Sequence, residues 1–483
     1  MPSTPTRPRH QQPAPPTQAE QAEQAEQQSV RQAAQARRLV ERLSALPEDP
    51  SRHDPQARPY RQRVRLRLAD ACRDLPQRPL RTVWERLAAR PWPAPGPAEA
   101  GIGLAEVAAT VAAPLRHEVV NPYAEHRLYP SPRSKFPVRV AVSDGSGQHL
   151  VVPELDALVE IGGTAGAAGP AGLETASALA ALPGFYGDLR PVLAGLETGH
   201  LLAALADTGR ALGLPLTVTG PAAGDWPDWL AERTGPVLPG FRLAPTEVAR
   251  PAANEPGRDD DPSWAEVGWL RNSGRAPGGF YGFTARHGGI PADGLTAMLT
   301  AAARGAADAG YLGQWLPAVR AFCAVRAVAG LPDGLYEAPL GSSAEAAGPA
   351  GLRRIGDLDA LRGGLVIDST PAAGLAYDLA GCNLVWMLAV DAERAVRPQG
   401  PEAAFPGVLA AVGWLAQQLC MGAASTRLFA RPLRSFDAAT VAAAIGAHDT
   451  LVPIYQVACG RNRFSEPAID LRFPPAGATG GDR

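Results

Sequence analysis

The stretch from Arg271 to Phe283 reads RNSGRAPGGFYGF. Arg271 and Arg275 stand four residues apart with Ser273 between them. Two guanidiniums and a hydroxyl so spaced can give several charge-assisted hydrogen bonds to one phosphate. Spacing alone favours a solvated loop, because such triplets recur in an arginine-rich chain. Arg461 and Arg463 near the C-terminus are further candidates for the same anion. A second stretch, HRLYPSPRSKFPVRVAV, holds Lys135. The chain has 46 basic residues, and 45 of them are arginine, so Lys135 is the single lysine. An amine there becomes a base near neutral pH if burial, or a cation such as Arg133, lowers its pKa. Tyr129 and Tyr336 are the alternative bases. Tyr336 falls in a GLPDGLY turn, where a packing role is the stronger reading.

Several classes of chemistry are disfavoured. The 483 residues carry a net charge of −2, so nothing points to nucleic acid. No uninterrupted apolar run approaches the roughly 20 residues of a membrane helix, and the Pro- and Gln-rich start has no apolar segment of a secretory signal. The 5 cysteines are scattered without CxxC spacing, which fits a reducing cytoplasm and argues against structural zinc. The eight histidines form no HExxH pair. There is no GxGxxG opening a βαβ unit, no GxxxxGK[ST] and no GxSxG. His200 reads as a satisfied histidine at the start of a buried helix.

These residues need elements to carry them. Residues 1–29 read as a disordered tail. Residues 30–113 read as an arginine-rich helical region, its charges on solvated faces. From 114 the pattern becomes that of an α+β core. A first lobe over 114–250 has FPVRVAV as a strand, ETGHLLAALADTGRALGL as a buried helix ended by Gly213, and LTVTG as a strand. An acidic, Pro-rich linker covers 251–263. A second lobe over 264–483 has ADGLTAMLTAAARGAA as a helix, PAVRAFCAVRAV as a strand, PGVLAAVGWLAQQLCMGAA as a long buried helix and LVPIYQVACG as a strand. The lobes echo each other: each has a proline-led strand and later an apolar helix (GHLLAALADTGRALGL, GWLAQQLCMGAA). That suggests an internal duplication, hence a pseudo-dimer within one chain.

RNSGRAP, VAGLPDGLYEAP, GWLAQQLCMGAA and YQVACGRNR follow one another in an order that resembles the nitroreductase-like flavoproteins, and among them the SagB-type azoline dehydrogenases of peptide natural-product pathways. HRLYPSPRSKFPVRVAV is similar to that family's Pro-Ser flavin-contact segment. The resemblance covers roughly 114–475 and implies an FMN-dependent oxidoreductase that turns thiazoline or oxazoline rings into thiazoles or oxazoles on a precursor peptide. It implies cyclodehydratase partner proteins, and leaves a homodimer open. In the family one subunit supplies Arg-x-Ser-x-Arg and the other Pro-Ser. Here each lobe keeps one half, so the resemblance implies one composite site: Arg271, Ser273 and Arg275 facing Pro130, Ser131 and Ser134. Pro132 and Arg133 stand where the family has glycines, which puts backbone approach to the flavin in question. The alternatives are a non-catalytic scaffold or peptide-binding partner, and a generic NAD(P)H-dependent FMN nitroreductase.

Overall fold

The computed structural model describes residues 18–45, 68–97, 101–119, 124–145, 147–162, 170–223, 226–234, 237–246, 261–271, 281–283, 285–340, 349–361, 375–377, 382–434, 436–462 and 468–472. Within them the chain builds two lobes of one topology. Lobe one is a sheet of β1 (Gln77–Pro79), β4 (Val138–Asp144), β5 (Gly147–Val152), β6 (Ala157–Gly162), β7 (Gly172–Ala178), β8 (Leu216–Pro221) and β9 (Val237–Pro245), in the order β1-β6-β5-β4-β7-β9-β8. Lobe two contains β11 (Val319–Val325), β12 (Gly334–Ala338), β13 (Arg353–Gly356), β15 (Leu384–Asp391), β16 (Phe429–Leu433) and β17 (Leu451–Gly460), in the order β13-β12-β11-β15-β17-β16. Apart from β1, the two orders are the same. Every neighbouring pair in both is antiparallel. The echo seen in the sequence is therefore a repeated fold, and the class is α+β.

The helices repeat as well. Lobe one has α2 (Leu104–Ala112) before its sheet, α3 (Leu189–Ala211) after β7 and α4 (Asp228–Thr234) between β8 and β9. Lobe two has α6 (Asp293–Asp308), α7 (Gly400–Ser425) and α8 (Ala438–Ala444) at the corresponding places. Both long helices start well before the sequence pattern placed them, so His200 sits in the middle of α3 rather than at its start. Leu, Ala and Val surround almost their whole circumference, and a helix apolar all round must be buried all round. α7 has the length and composition to cross a membrane, and that window is wholly buried within the protein.

α3 and α7 cross at two glycines. A Cβ on Gly199 would overlap the carbonyl oxygen of Ala410, and one on Gly413 would overlap that of Leu196. Each glycine thus faces the residue three before the other. The contact is self-complementary, as across a two-fold axis, although both halves belong to one chain. One continuous apolar core surrounds it and draws on both lobes. Smaller clusters lie behind each sheet.

Three segments depart from the sequence reading. The helix expected after residue 29 begins at Gln18 and runs to Leu43 as α1. The QAE repeats are strong helix formers, and Ala36, Leu39 and Leu43 are buried. α1 docks on lobe two, where Arg42 lies over the Phe405 ring and pairs with Glu402 at 3.1 Å. The helical N-terminal region is present, and residues 68–113 also pack into lobe one. β1 pairs with β6, and α2 buries Leu104, Val107, Ala108 and Val111 in the core. Within the expected linker, residues 251–260 lie outside the described set. Ser263 is already the N-cap of α5 (Trp264–Leu270), accepting from Glu266 N at 3.1 Å.

Two small sheets remain: β10 (Tyr281–Phe283) runs parallel to β14 (Leu375–Tyr377), and a three-stranded sheet ties the lobes together. β2 (Arg116–Glu118) and β3 (Glu125–His126) come before lobe one's sheet, and β18 (Ala468–Asp470) comes from the C-terminal end of lobe two. Just beyond β18, Arg472 donates to Ala265 O at 2.6 Å and lies over the Trp269 ring. The last strand thereby fastens α5, the helix that ends at Arg271.

The glycine crossing admits a direct test. Gly413→Ala places a methyl against Leu196 backbone that cannot yield, and overpacking of this kind costs about 3 kcal/mol or more. Gly184→Ala meets nothing within 4 Å and is expected to stay within about 0.5 kcal/mol of wild type. Urea unfolding of the two variants measures the contrast.

Candidate functional site

The crossing of α3 and α7 brings together side chains that are far apart in sequence. Glu197 and His200 lie one turn apart on α3, and Gln417 faces them from α7. His200 Nδ1 is 3.1 Å from Gln417 Oε1, and its Nε2 is 3.3 Å from the Tyr455 hydroxyl on β17. Gln417 Nε2 donates to Leu128 O at 3.0 Å. A carbonyl can only accept, which fixes the amide's orientation. The amide oxygen then faces Nδ1, so Nδ1 carries the proton and Nε2 accepts from Tyr455. Burial drives the His200 pKa down to about 3, partly offset by the Gln417 hydrogen bond and reinforced by Arg271.

Arg271 closes α5, its N–H bonding Val267 O at 2.8 Å. The side chain is 5% exposed. One terminal nitrogen donates to Arg127 O at 2.9 Å, and Nε has no partner. Among the described residues no carboxylate lies within ion-pair distance of it. Glu118, which acts on it through space, is held by Arg116 at 3.1 Å and His126 at 3.1 Å. Burial lowers the Arg271 pKa. A buried cation with no counter-charge is costly, and the cost is removed by an anion placed beside it. Ser273, Arg275 and Arg463 lie outside the described residues. Arg461 does not join Arg271. It stands at the far end of β17, six residues beyond Tyr455 and thus about 20 Å away along the strand, with its carbonyl accepting from Arg286 N at 2.8 Å.

The Pro130–Ser131 segment lies directly against this cluster. Arg127, whose carbonyl holds Arg271, stacks its guanidinium 4.1 Å from the Phe136 ring centre and bonds Glu125 at 3.0 Å. Tyr129 and Phe136 meet edge to face at 5.7 Å. Tyr129 is buried, which pushes its pKa up to about 12. Ser131 Oγ donates to Glu197 Oε2 at 2.6 Å and accepts from Phe136 N at 2.7 Å. Arg133, Ser134 and Phe136 all have left-handed backbone, with φ of 51°, 50° and 47°. Side-chain-bearing residues there are strained by roughly 1–3 kcal/mol each, and such strain clusters at functional sites. The chain thus keeps a glycine-like backbone path without the glycines. Lys135 sits among these three and is 4% exposed. Tyr336 is elsewhere. It lies on strand β12, not in the preceding turn, and its hydroxyl donates to Pro332 O at 2.8 Å, tying down that turn.

Glu197 completes the group. It is 1% exposed, and burial raises its pKa to about 8 against the opposing pull of Ser131, the Val138 N–H, Arg127 and Arg139. A carboxyl so placed holds a proton at neutral pH. The arrangement therefore combines an unneutralised guanidinium, a protonated carboxyl and a strained segment bearing the only lysine.

No protein-family model matches the sequence, and no curated protein does either. Solved structures with some likeness exist. A protein assigned as a nitroreductase from Anabaena variabilis has a TM-score of 0.48 at 15% identity, over 70% of this chain and 83% of that one. A second, from Ralstonia eutropha, has a TM-score of 0.31 at 18% identity, over 44% and 89%. The E. coli microcin synthetase McbBCD complex with truncated pro-MccB17 bound has a TM-score of 0.29 at 12% identity, over 45% and 79%.

The mirror-related position is built differently. The register that sets Gly199 on Gly413 makes Trp414 the counterpart of His200. Trp414 is buried, and its indole donates to Gly305 O at 2.7 Å. Trp315, which precedes β11 as the Pro-Ser segment precedes β4, fills the space that a Cβ on Gly407 would need. Among the described residues, the His200–Gln417–Tyr455 set has no matching set at that position.

Sequence reading passed over Glu197, Gln417, Tyr455 and Arg127. The available signal was a Glu and a His three apart inside an otherwise apolar helix, with a Gln pair inside its counterpart. His200 gives a test in acid. Its folded pKa lies below the unfolded value, so its stabilising contribution is complete above pH 6.5 and is lost as pH falls toward 3. Wild type is expected to lose urea resistance between pH 7 and pH 4.5. His200→Gln, which cannot titrate, should show a shallower loss over the same range.

Proposed function

We propose that the chain is an FMN-dependent dehydrogenase that oxidises thiazoline or oxazoline rings in a peptide to thiazoles or oxazoles. What carries the reading is Arg271: a buried guanidinium with no carboxylate paired to it among the described residues, one unpartnered nitrogen, and a bond to the Arg127 carbonyl just ahead of the Pro-Ser segment of the other lobe. That charge balance suits a phosphate. Arg271 would hold it, with Ser273 and Arg275 following in the sequence, and the backbone of Pro130–Ser134 would lie along the ring system. FMN bound there would supply the hydride acceptor. Lys135, which is 4% exposed, would take the proton α to the carbonyl. The precursor would come from a cyclodehydration, the reaction class that makes azolines from Ser, Thr or Cys side chains.

One observation favours a second reading, a non-catalytic scaffold or peptide-binding partner. The Ser131 hydroxyl is committed inside the protein, to Glu197 and Phe136.

The mirror position is filled by indoles, so one FMN per chain is expected. Flavin absorbance with quantitation after heat release measures this. Colourless, folded protein that takes up no added FMN sinks the enzyme reading. Arg271→Met should lower FMN affinity by about one to two decades, the cost of a charge-assisted contact. It should not lower stability, because it also removes an uncompensated buried charge. Lys135→Met should keep the flavin and lose azoline oxidation by roughly 10² or more. Mass-spectrometric loss of two hydrogens per ring, at equal flavin occupancy, is the assay.

A further inference from the structure

Two successive carbonyls just ahead of the Pro-Ser segment are held by side chains of the other lobe. Arg271 donates to Arg127 O at 2.9 Å, and Gln417 Nε2 donates to Leu128 O at 3.0 Å. With two adjacent peptide groups held, the chain cannot turn about the bonds between them without breaking a contact. Arg271 has a second duty in the reading above, the phosphate. Gln417 is given no part in holding a ligand. Leu128 leads directly into Tyr129, Pro130 and Ser131, and so to Lys135. We propose that Gln417 is the positioning residue of the 128–136 segment: its amide, donating across the lobe boundary to the Leu128 carbonyl, sets where Lys135 stands relative to lobe two. This rests on the flavin-site reading only for its consequence in catalysis.

The amide is directed to that carbonyl. Its Oε1 is 3.1 Å from His200 Nδ1, and His200 Nε2 is 3.3 Å from the Tyr455 hydroxyl. Because the Leu128 carbonyl can only accept, the donors run one way, from Tyr455 through His200 and Gln417 to Leu128. A flipped amide would set oxygen against oxygen at Leu128. Gln417, His200 and Leu128 are all buried, so no water stands ready to replace a lost donor. A buried acceptor left without its donor is costly, and the segment would move to recover one. The helix crossing does not itself demand an amide here. The register that sets Gly199 on Gly413 makes Ala203 the counterpart of Gln417, and Ala203 is equally buried with no polar group. The next residue, Gln418, is just as buried but donates to Asp207 at 2.7 Å instead. It is the natural control.

The sequence supplies its own reporter. Lys135 is the only lysine, so a lysine-specific endopeptidase can cut the chain at one bond, Lys135–Phe136, inside the segment. Its cleavage rate on the intact chain is divided by the rate on a peptide covering residues 129–141. Gln417→Met keeps the bulk and loses the donor, and should raise the normalised rate about tenfold or more, the scale of an unmade hydrogen bond to a buried carbonyl. Gln417→Leu should do the same. Gln418→Met, an equal loss one residue along α7, should stay near wild type. A shallow dependence of the rate on urea identifies local opening, whereas a steep one identifies global unfolding and overturns the proposal. A wild-type rate in Gln417→Met, or an equal rise in Gln418→Met, overturns it too. A spectroscopic readout stands beside this one. The sequence has two Leu–Tyr bonds, 128–129 and 335–336, so carbon-13 at the Leu carbonyl and nitrogen-15 in Tyr give two resonances. In Gln417→Met the Leu128 carbonyl should move upfield as its hydrogen bond is lost, with Leu335 unmoved. Two unmoved resonances reject the role. In flavin-loaded protein, Gln417→Met should keep FMN content and KM and lower kcat for azoline oxidation about tenfold, as a misplaced reacting group does. Flavin-bound protein whose cleavage ignores Gln417 rejects the positioning role and leaves the flavin reading standing. A raised rate in protein that takes up no FMN does the reverse.

Discussion

The close approach of α3 and α7 at Gly199 and Gly413 is the constraint on which the rest depends. Backbone meets backbone there, so neither helix can rotate or slide without collision. Everything polar in the candidate site is placed by that registration. His200 reaches Gln417 because the helices touch one turn away, and Gln417 in turn holds the Leu128 carbonyl. Leu128 begins the segment that continues to Ser131 and Lys135. A larger residue at the crossing would move the two faces apart and break each of these bonds together. The glycines therefore matter less for backbone freedom than for the distance they permit.

The site also concentrates groups that an apolar core would normally refuse. Arg271 is kept charged without a carboxylate, while Glu197 is kept protonated although two arginines act on it. These costs are borne by an interior where some 25 cal/mol is gained per Å² of apolar surface removed from water. The C-terminal strand helps. By pairing β18 with β2 and setting Arg472 on α5, it holds Arg271 in a position that its own charge opposes. Buried ionisable groups that stabilise nothing by themselves are where function is best sought.

How much of this could be read from the sequence follows the range of the interactions. The two lobes, the long helices and the strands FPVRVAV and LVPIYQVACG were legible, because periodicity and apolar runs are local. Helix limits were not. The Gln- and Glu-rich start of α1 looked like a tail, since its docking on Phe405 and Glu402 lies hundreds of residues away. The strand β1 was hidden in an arginine-rich stretch for the same reason. At the site, Arg271 and Ser131 stood out by motif. Their partners did not: Arg127 contributes only its carbonyl, and Gln417 is an amide inside an apolar helix. Pro132 and Arg133 looked like obstacles to a glycine path. The positive φ values at Arg133, Ser134 and Phe136 show that a clasped loop can follow that path with side chains in place.

The repeated fold makes the asymmetry of the molecule informative. Two lobes of one topology related by a self-complementary crossing offer two equivalent positions between them. On one side stand His200, Gln417, Tyr455 and Arg271. On the other, Trp414 and Trp315 fill the space, and among the polar groups nearby Asp207 receives Gln418 at 2.7 Å and Arg210 bridges Asp207 and Asp308. That second network joins its charges into ion pairs but is not closed, for Arg304 beside it keeps two nitrogens without a partner. In the first, Arg271 Nε and Glu197 Oε1 are likewise without a partner, and no carboxylate pairs with Arg271 among the described residues. The difference between the two sides is therefore one of shape: indoles fill one position, whereas the other is lined by His200, Gln417 and Tyr455, which hydrogen-bond to one another.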